Sequence, residues 1–153
     1  MYSVFDVADF FLSKESMSPK KLQKLVYYAY GWTLALMNES VEELDFHLFN
    51  SRIEAWVHGP VAPDLYHEYK GYGWQDIPKK ESYDGKALSS DVDDILNQVW
   101  DAYGHLNANQ LEMISHRETP WINARNGAPA YAATSNAISD EDMFIYFNEQ
   151  ANS

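Results

Sequence analysis

Five histidines are the side chains best suited to bind a metal or move a proton near neutral pH: His47, His58, His67, His105 and His116. No two of them form a His-x-x-x-His pair. His67-Glu68 opens like a zinc-protease helix motif, but Gly71 stands where the second ligand belongs. Glu112 and His116 lie one helical turn apart and share a face. A single such pair is still an incomplete ligand set. The chain has no cysteine, which removes disulfide frameworks, thiolate metal sites, iron–sulfur clusters and thiol catalysis together. It has no G-x-S-x-G elbow and no glycine-rich phosphate or dinucleotide loop. Most carboxylates fall in the first turns or on the solvent faces of expected helices, where they complement the helix dipole and aid solubility. No metal, no cofactor and no catalytic residue is expected, and the chain is read as a non-enzyme.

The whole composition sets the frame for these residues. The chain has 153 residues, 46% hydrophobic and 15% aromatic, which excludes bulk disorder and fits one domain spanning 1–153. Asp and Glu number 23 against 11 Lys and Arg, for a formal net charge of -12. Such a surface repels phosphates, so nucleic acid is not an expected partner, whereas a basic protein is. Asp6 and Asp9 precede the first basic residue, Lys14, so the start does not read as a secretory signal. The longest apolar-looking stretch without a charge, Leu25 to Asn38, is too short to span a bilayer. No membrane association and a cytoplasmic location are the expectations.

The elements that position these residues carry clear start signals. Ser3 with Asp6 caps a first helix. Ser18-Pro19 opens a helix over about 18–38, where Leu22, Leu25, Val26, Tyr28, Ala29, Trp32, Thr33 and Leu36 make an apolar surface so wide that the helix must be covered on most sides. A small β element is expected near 46–58, ending at Gly59-Pro60. Pro63 opens a helix that stops near Gly71 or Gly73. Residues 74–88 read as a loop or a small hairpin turning at Asp84-Gly85. Asp91 or a preceding serine caps the next helix, and Asn107 with Gln110 forms a capping box. Thr119-Pro120-Trp121 starts a short helix, with Thr119 as its cap, and Ser139 caps the last one. The sum is a mainly α, compact domain of six or seven helices with a small β element.

Aromatic residues crowd two places. Tyr27, Tyr28, Tyr30 and Trp32 fall on one helix, and Tyr66, Tyr69, Tyr72 and Trp74 on the next and its exit. Each is a candidate for the core. Tyr and Trp are also favoured interface anchors, and the set is expected to leave one aromatic patch exposed.

Four blocks resemble one family. The series from Lys20 to Trp32 (Lys20-Lys21-Leu22-Gln23-Lys24-Leu25-Val26-Tyr27-Tyr28-Ala29-Tyr30-Gly31-Trp32) resembles the signature helix of the Panacea, or SocA-like, antitoxin domain, a family that includes phage-associated GepA proteins. The likeness continues through Glu54-Ala55-Trp56-Val57-His58-Gly59-Pro60-Val61-Ala62-Pro63-Asp64-Leu65-Tyr66. It resumes at Val99-Trp100-Asp101-Ala102-Tyr103-Gly104, and closes with Leu111 and Ser115-His116-Arg117-Glu118-Thr119-Pro120-Trp121. Ser115 keeps the hydroxyl of the threonine that members often carry, and Tyr30 stands where a glutamine is common.

The resemblance implies a mainly helical fold and an antitoxin that neutralises a cognate protein toxin, encoded beside it, by direct binding. The alternatives are a proteolytic adaptor delivering its toxin to a ClpXP-type protease and, further off, an enzyme that modifies its target. The expected partner-binding residues are Lys24, Tyr27, Tyr28, Tyr30, Pro60, Tyr66, Tyr72 and Trp74. The expected structural residues are Trp32, Trp56, His58, Gly59, His116, Pro120 and Trp121, with His116 and Glu118 forming a polar joint between two helices.

Overall fold

The computed structural model describes residues 1–153. Seven α-helices alternate with one hairpin: α1 (Val4–Leu12), α2 (Pro19–Leu36), β1 (Glu54–Trp56), β2 (Gly59–Val61), α3 (Pro63–Tyr69), α4 (Ser90–Tyr103), α5 (Ala108–Ser115), α6 (Thr119–Arg125) and α7 (Asp140–Ala151). A 3-10 turn, Lys70–Tyr72, extends α3. The fold is mainly α, as the patterning predicts.

The helix starts follow the local chemistry. Ser3 and Asp6 close a reciprocal capping box at 3.0 and 3.1 Å, and Asn107 and Gln110 do the same at 2.8 and 2.9 Å. Ser18, Ser89 and Ser139 each accept an orphan backbone N–H through the side-chain hydroxyl. α6 departs from expectation. Its cap is Glu118, Thr119 is the first helical residue, and no side chain caps the end. The Glu118 carboxylate is turned inward instead, onto Tyr28.

α2 is the axis of the core. Thirteen of its 18 residues are buried, and α1, α3, α4, α5, α7 and β2 all pack against it. Its closest neighbour is α7. Phe147 lies against Tyr27, Tyr28 and Trp32 with ring centroids 5.1–6.1 Å apart, and it rests directly on Gly31. A methyl at position 31 would overlap the Phe147 ring. The glycine, a weak helix former, therefore serves close helix approach.

The β structure is smaller and later than expected. Residues 46–53 form no strand of a sheet. They run along the core with Leu48, Phe49 and Ile53 buried, and Tyr2 makes a lone bridge to Phe49. The hairpin occupies 54–61. Of the two readings of residues 74–88, a loop or a small hairpin, the structure has the loop. Asp84 accepts from the Lys86 N–H and Gly85 adopts φ 73°, so the turn forms, but no strands flank it. That segment is held by other chain: Ile77 and Met17 exchange backbone bonds of 2.8 and 3.3 Å, and Lys80 N–H donates to Leu12 O at 2.9 Å. A hairpin there would have to give these bonds up.

Gly31→Ala should destabilise the chain by about 1–3 kcal/mol, the cost of overpacking a tight contact. Urea denaturation followed by circular dichroism measures it. An unchanged midpoint would mean that α2 and α7 are not in register as described.

Candidate partner-docking face around the hairpin

The hairpin is built on a contradiction that α2 resolves. β1 and β2 pair antiparallel with Ala55 opposite Pro60 and Trp56 opposite Gly59, turning at Val57-His58. Pro60 has no N–H, and a lone two-stranded hairpin is marginal in water. Two adjacent side chains of α2 replace a third strand. Gln23 accepts from Ala62 N–H at 2.9 Å and donates to Ala62 O at 3.0 Å, as a neighbouring backbone would. Lys24 Nζ donates to Pro60 O at 3.1 Å. Its stem lies under Gly59, whose φ of 111° suits glycine and whose added Cβ would sit 2.7 Å from Lys24 Cε.

β1 is clamped from its other side. Ala55 N–H donates to Asn136 O at 2.9 Å, and Ile138 N–H donates to Ile53 O at 2.8 Å. Thr134 Oγ1 donates to Ala55 O at 2.6 Å and Arg125 Nη1 does so at 3.3 Å. Trp121 Nε1 donates to Trp56 O at 2.9 Å, and His116 stacks on the Trp121 ring at 4.1 Å and 19°. The His116 ring also meets the Val57 carbonyl, and its imidazole is held below the usual range, by burial first. His116 is thus a joint between α5, the hairpin and α6.

What the clamps leave free is the outer face of the hairpin. The Trp56 ring is 5.0 Å from Tyr66 of α3. Trp56, His58 and Val61 are shared by two clefts. One, of about 370 Å³, runs between α2, β2 and α3, and the other, of about 480 Å³, reaches Ala133 and Ser135. Tyr66, Tyr72 and Trp74 are exposed, Trp74 by 87%. Beside the first cleft, Glu112 of α5 pairs with Lys20 and lies 3.2 Å from His58 Nδ1. Burial works to raise the Glu112 carboxyl, but the bonds from Lys20 and His58 outweigh it and hold the group below the usual range. Lys24 is 1% exposed, and burial lowers its ammonium to about 7.

A second polar cluster lies behind this face. Glu118 is 5% exposed, and both of its oxygens accept from Tyr28 Oη at 3.1 Å. Tyr146 of α7 is its other phenol partner. Tyr28 stacks on Tyr103 at 4.1 Å, and Tyr103 Oη accepts from Trp32 Nε1 at 3.0 Å. Burial pushes the Glu118 carboxyl up to about 7, against the two phenol bonds. No three His, Asp or Glu side chains converge on a common metal position.

The structure buries five of the eight residues expected to contact a partner. Lys24, Tyr27, Tyr28, Tyr30 and Pro60 are all buried, and of these only Lys24 lines the cleft between α2, the hairpin and α3. The reason is that α2 has no solvent face over 22–31: its outer side is covered by α7, α4 and the hairpin. Tyr66, Tyr72 and Trp74 stand at the surface. Among the residues expected to be structural, Pro120 and Trp121 are buried, Gly59 is enclosed, Trp32, Trp56 and His116 are half-buried, and His58 projects from the hairpin tip. Gln23 and Arg125 were missed. A polar residue between Leu22 and Leu25 was a visible signal for Gln23. Arg125 also donates to Pro129 O and Ala132 O at 2.7 Å, but its bond to the hairpin, at Ala55 O, spans 70 residues of chain, which no local pattern marks.

The chain belongs to the SocA-like antitoxin family: the model of the Panacea domain matches residues 22–122, which include the hairpin, Gln23, Lys24 and Glu118. Searches of curated proteins and of solved structures found no match. No helix is long and apolar enough to cross a membrane.

The two buried ionisable groups give opposite pH dependences. Folding favours the protonated Glu118 carboxyl, so its contribution is full below about pH 4.5 and is lost as pH rises to about 7. Folding favours the neutral Lys24 amine, so its contribution is full above pH 10.5 and is lost as pH falls to about 7. Relative to Glu118→Gln, the unaltered chain should lose about 3 kcal/mol between pH 4.5 and pH 7, from the shift and the value of one pKa unit. Thermal unfolding of both proteins across that range tests this. Parallel curves would place Glu118 in water rather than in the core.

Proposed function

We propose that this chain is the antitoxin of a toxin–antitoxin pair and neutralises a cognate protein toxin, encoded by an adjacent gene, by direct binding in the cytoplasm. The observation that carries the reading is the set of exposed aromatics Tyr66, Tyr72 and Trp74, with Tyr66 lining the first cleft and the other two flanking Gly73 of its lining, on a chain of an antitoxin-like family. Exposed Tyr and Trp next to a cleft have the composition of an interface anchor. The net charge of -12 favours a basic toxin and fast, salt-sensitive association. Stoichiometric masking needs surface complementarity and no reactive group, and it fits a chain whose polar clusters are used to hold its own hairpin and core. A nucleic-acid or membrane partner has no comparable feature to recommend it.

Co-expression with the adjacent gene, read as growth and as co-purification, tests the reading. The expected result is rescue of a toxic neighbour with a complex of fixed ratio whose association slows as salt rises. Rescue without a stable complex, together with faster loss of the toxin, would replace masking by delivery to a protease. Trp74→Ala combined with Tyr66→Ala should weaken the complex at least tenfold while the melting temperature stays within about 2 °C, since both side chains are exposed. An unaltered affinity would move the interface elsewhere.

A further inference from the structure

The 370 Å³ cleft between α2, the hairpin and α3 has two unlike walls. One is apolar, formed by Trp56, Val61, Leu65 and Tyr66, and the other carries Lys20, Lys24 and His58. Two of these three basic side chains share a single carboxylate. Glu112 bonds Lys20 and His58, and no carboxylate forms a salt bridge with Lys24. In a chain with twice as many acidic as basic residues, this is a local reversal of charge.

Lys24 is the unusual member. A lysine this deeply buried is normally paired. Here its ammonium has three N–H groups and one acceptor, Pro60 O. The cleft therefore offers a buried amine with N–H groups to spare, the Lys20 ammonium beside it and an apolar wall opposite. That combination suits an anion attached to an apolar group. Among anions a carboxylate fits the compact ammonium pair, because either oxygen accepts an N–H while the other stays with Lys20. The volume lies at the low end of ligand clefts, roughly 300–1,000 Å³, enough for one side chain and a carboxylate. The cleft also reaches Gly73, at the exit where Tyr72 and Trp74 stand exposed, so a chain entering it would have aromatic surface to run along.

From this geometry we infer that the cleft receives the free C-terminal carboxylate of a partner polypeptide whose last side chain is apolar. The carboxylate sits between Lys20 and Lys24, and the side chain packs on Trp56, Val61 and Leu65. The residues before it run out past Gly73. The inference stands apart from the antitoxin reading, since it names the chemistry of the cleft whether or not the partner is toxic.

Fluorescence anisotropy tests it directly on the full chain. The probes are labelled hexapeptides ending in leucine or phenylalanine, each as the free acid and as the C-terminal amide, with 4-phenylbutyrate as competitor. The expected result is that a free acid binds at least tenfold tighter than its amide, and that Lys24→Met erases the difference. Lys20→Glu, a change at a half-exposed position, should weaken the acid by a similar factor and keeps the test decisive if Lys24→Met unfolds. Equal binding of acid and amide, or no binding of any peptide up to millimolar concentration, overturns the inference. So does a free-acid preference that survives Lys20→Glu. Binding of 4-phenylbutyrate with no binding of peptide would also overturn it, by making the site one for a small acid.

Discussion

The burial of α2 on nearly every side is the constraint from which the rest follows. A helix with so little solvent face must satisfy its polar side chains internally. Gln23 and Lys24 do so by bonding the hairpin, which in turn covers them. The exchange works in both directions. The hairpin gains a surrogate third strand at the edge where Pro60 cannot donate, and the helix gains a cover for two polar groups. Gly59 is what lets the Lys24 stem lie close enough. A family signature that spans Lys24, Gly59 and Pro60 is thereby a description of one joint rather than of several features.

A second joint, around Glu118, ties the other half together. One carboxyl at the start of α6 meets Tyr28 from α2 and Tyr146 from α7, and Tyr28 in turn stacks on Tyr103 from α4. Four elements therefore meet around one buried carboxyl. The arrangement orders the aromatic core that Phe147 fills, because phenols fixed at their hydroxyls present their ring faces in set directions. It also explains why α6 begins without a side-chain cap. The residue in the cap position is spent inward, and Pro120 in the first turn lessens the loss by having no N–H to satisfy.

These two joints separate scaffold from surface. The most recognisable residues of the chain are inside it. The exposed aromatic rim, by contrast, lies on α3 and its exit, partly beyond the blocks of the signature. A domain that keeps its joints and varies its rim can hold one fold while presenting different faces, and that is the physical sense of an antitoxin-like scaffold.

The helices were legible because helix boundaries are local. Serine, asparagine and proline at helix starts act within four residues of themselves, and the apolar spacing of α2 announced a covered helix. The family was legible for the same reason, since its motifs are contiguous. The hairpin was misplaced by several residues because a short strand has no local signal apart from its partner, and its partners here include Asn136 and two side chains of α2. The loop at 75–88 showed a true turn at Asp84-Gly85, and what decided against strands was its pairing with Met17, some sixty residues earlier. The burial of the α2 tyrosines was not legible for one reason: helical periodicity says that Tyr27, Tyr28 and Tyr30 point in different directions, and it does not say how many of those directions are covered. Sequence by itself determined where the helices start, the wide apolar face of α2 and the absence of thiol chemistry. Only the tertiary structure decided which aromatics are buried, what Lys24 and Glu118 bond, and where the free face lies, because those depend on groups brought together from distant parts of the chain.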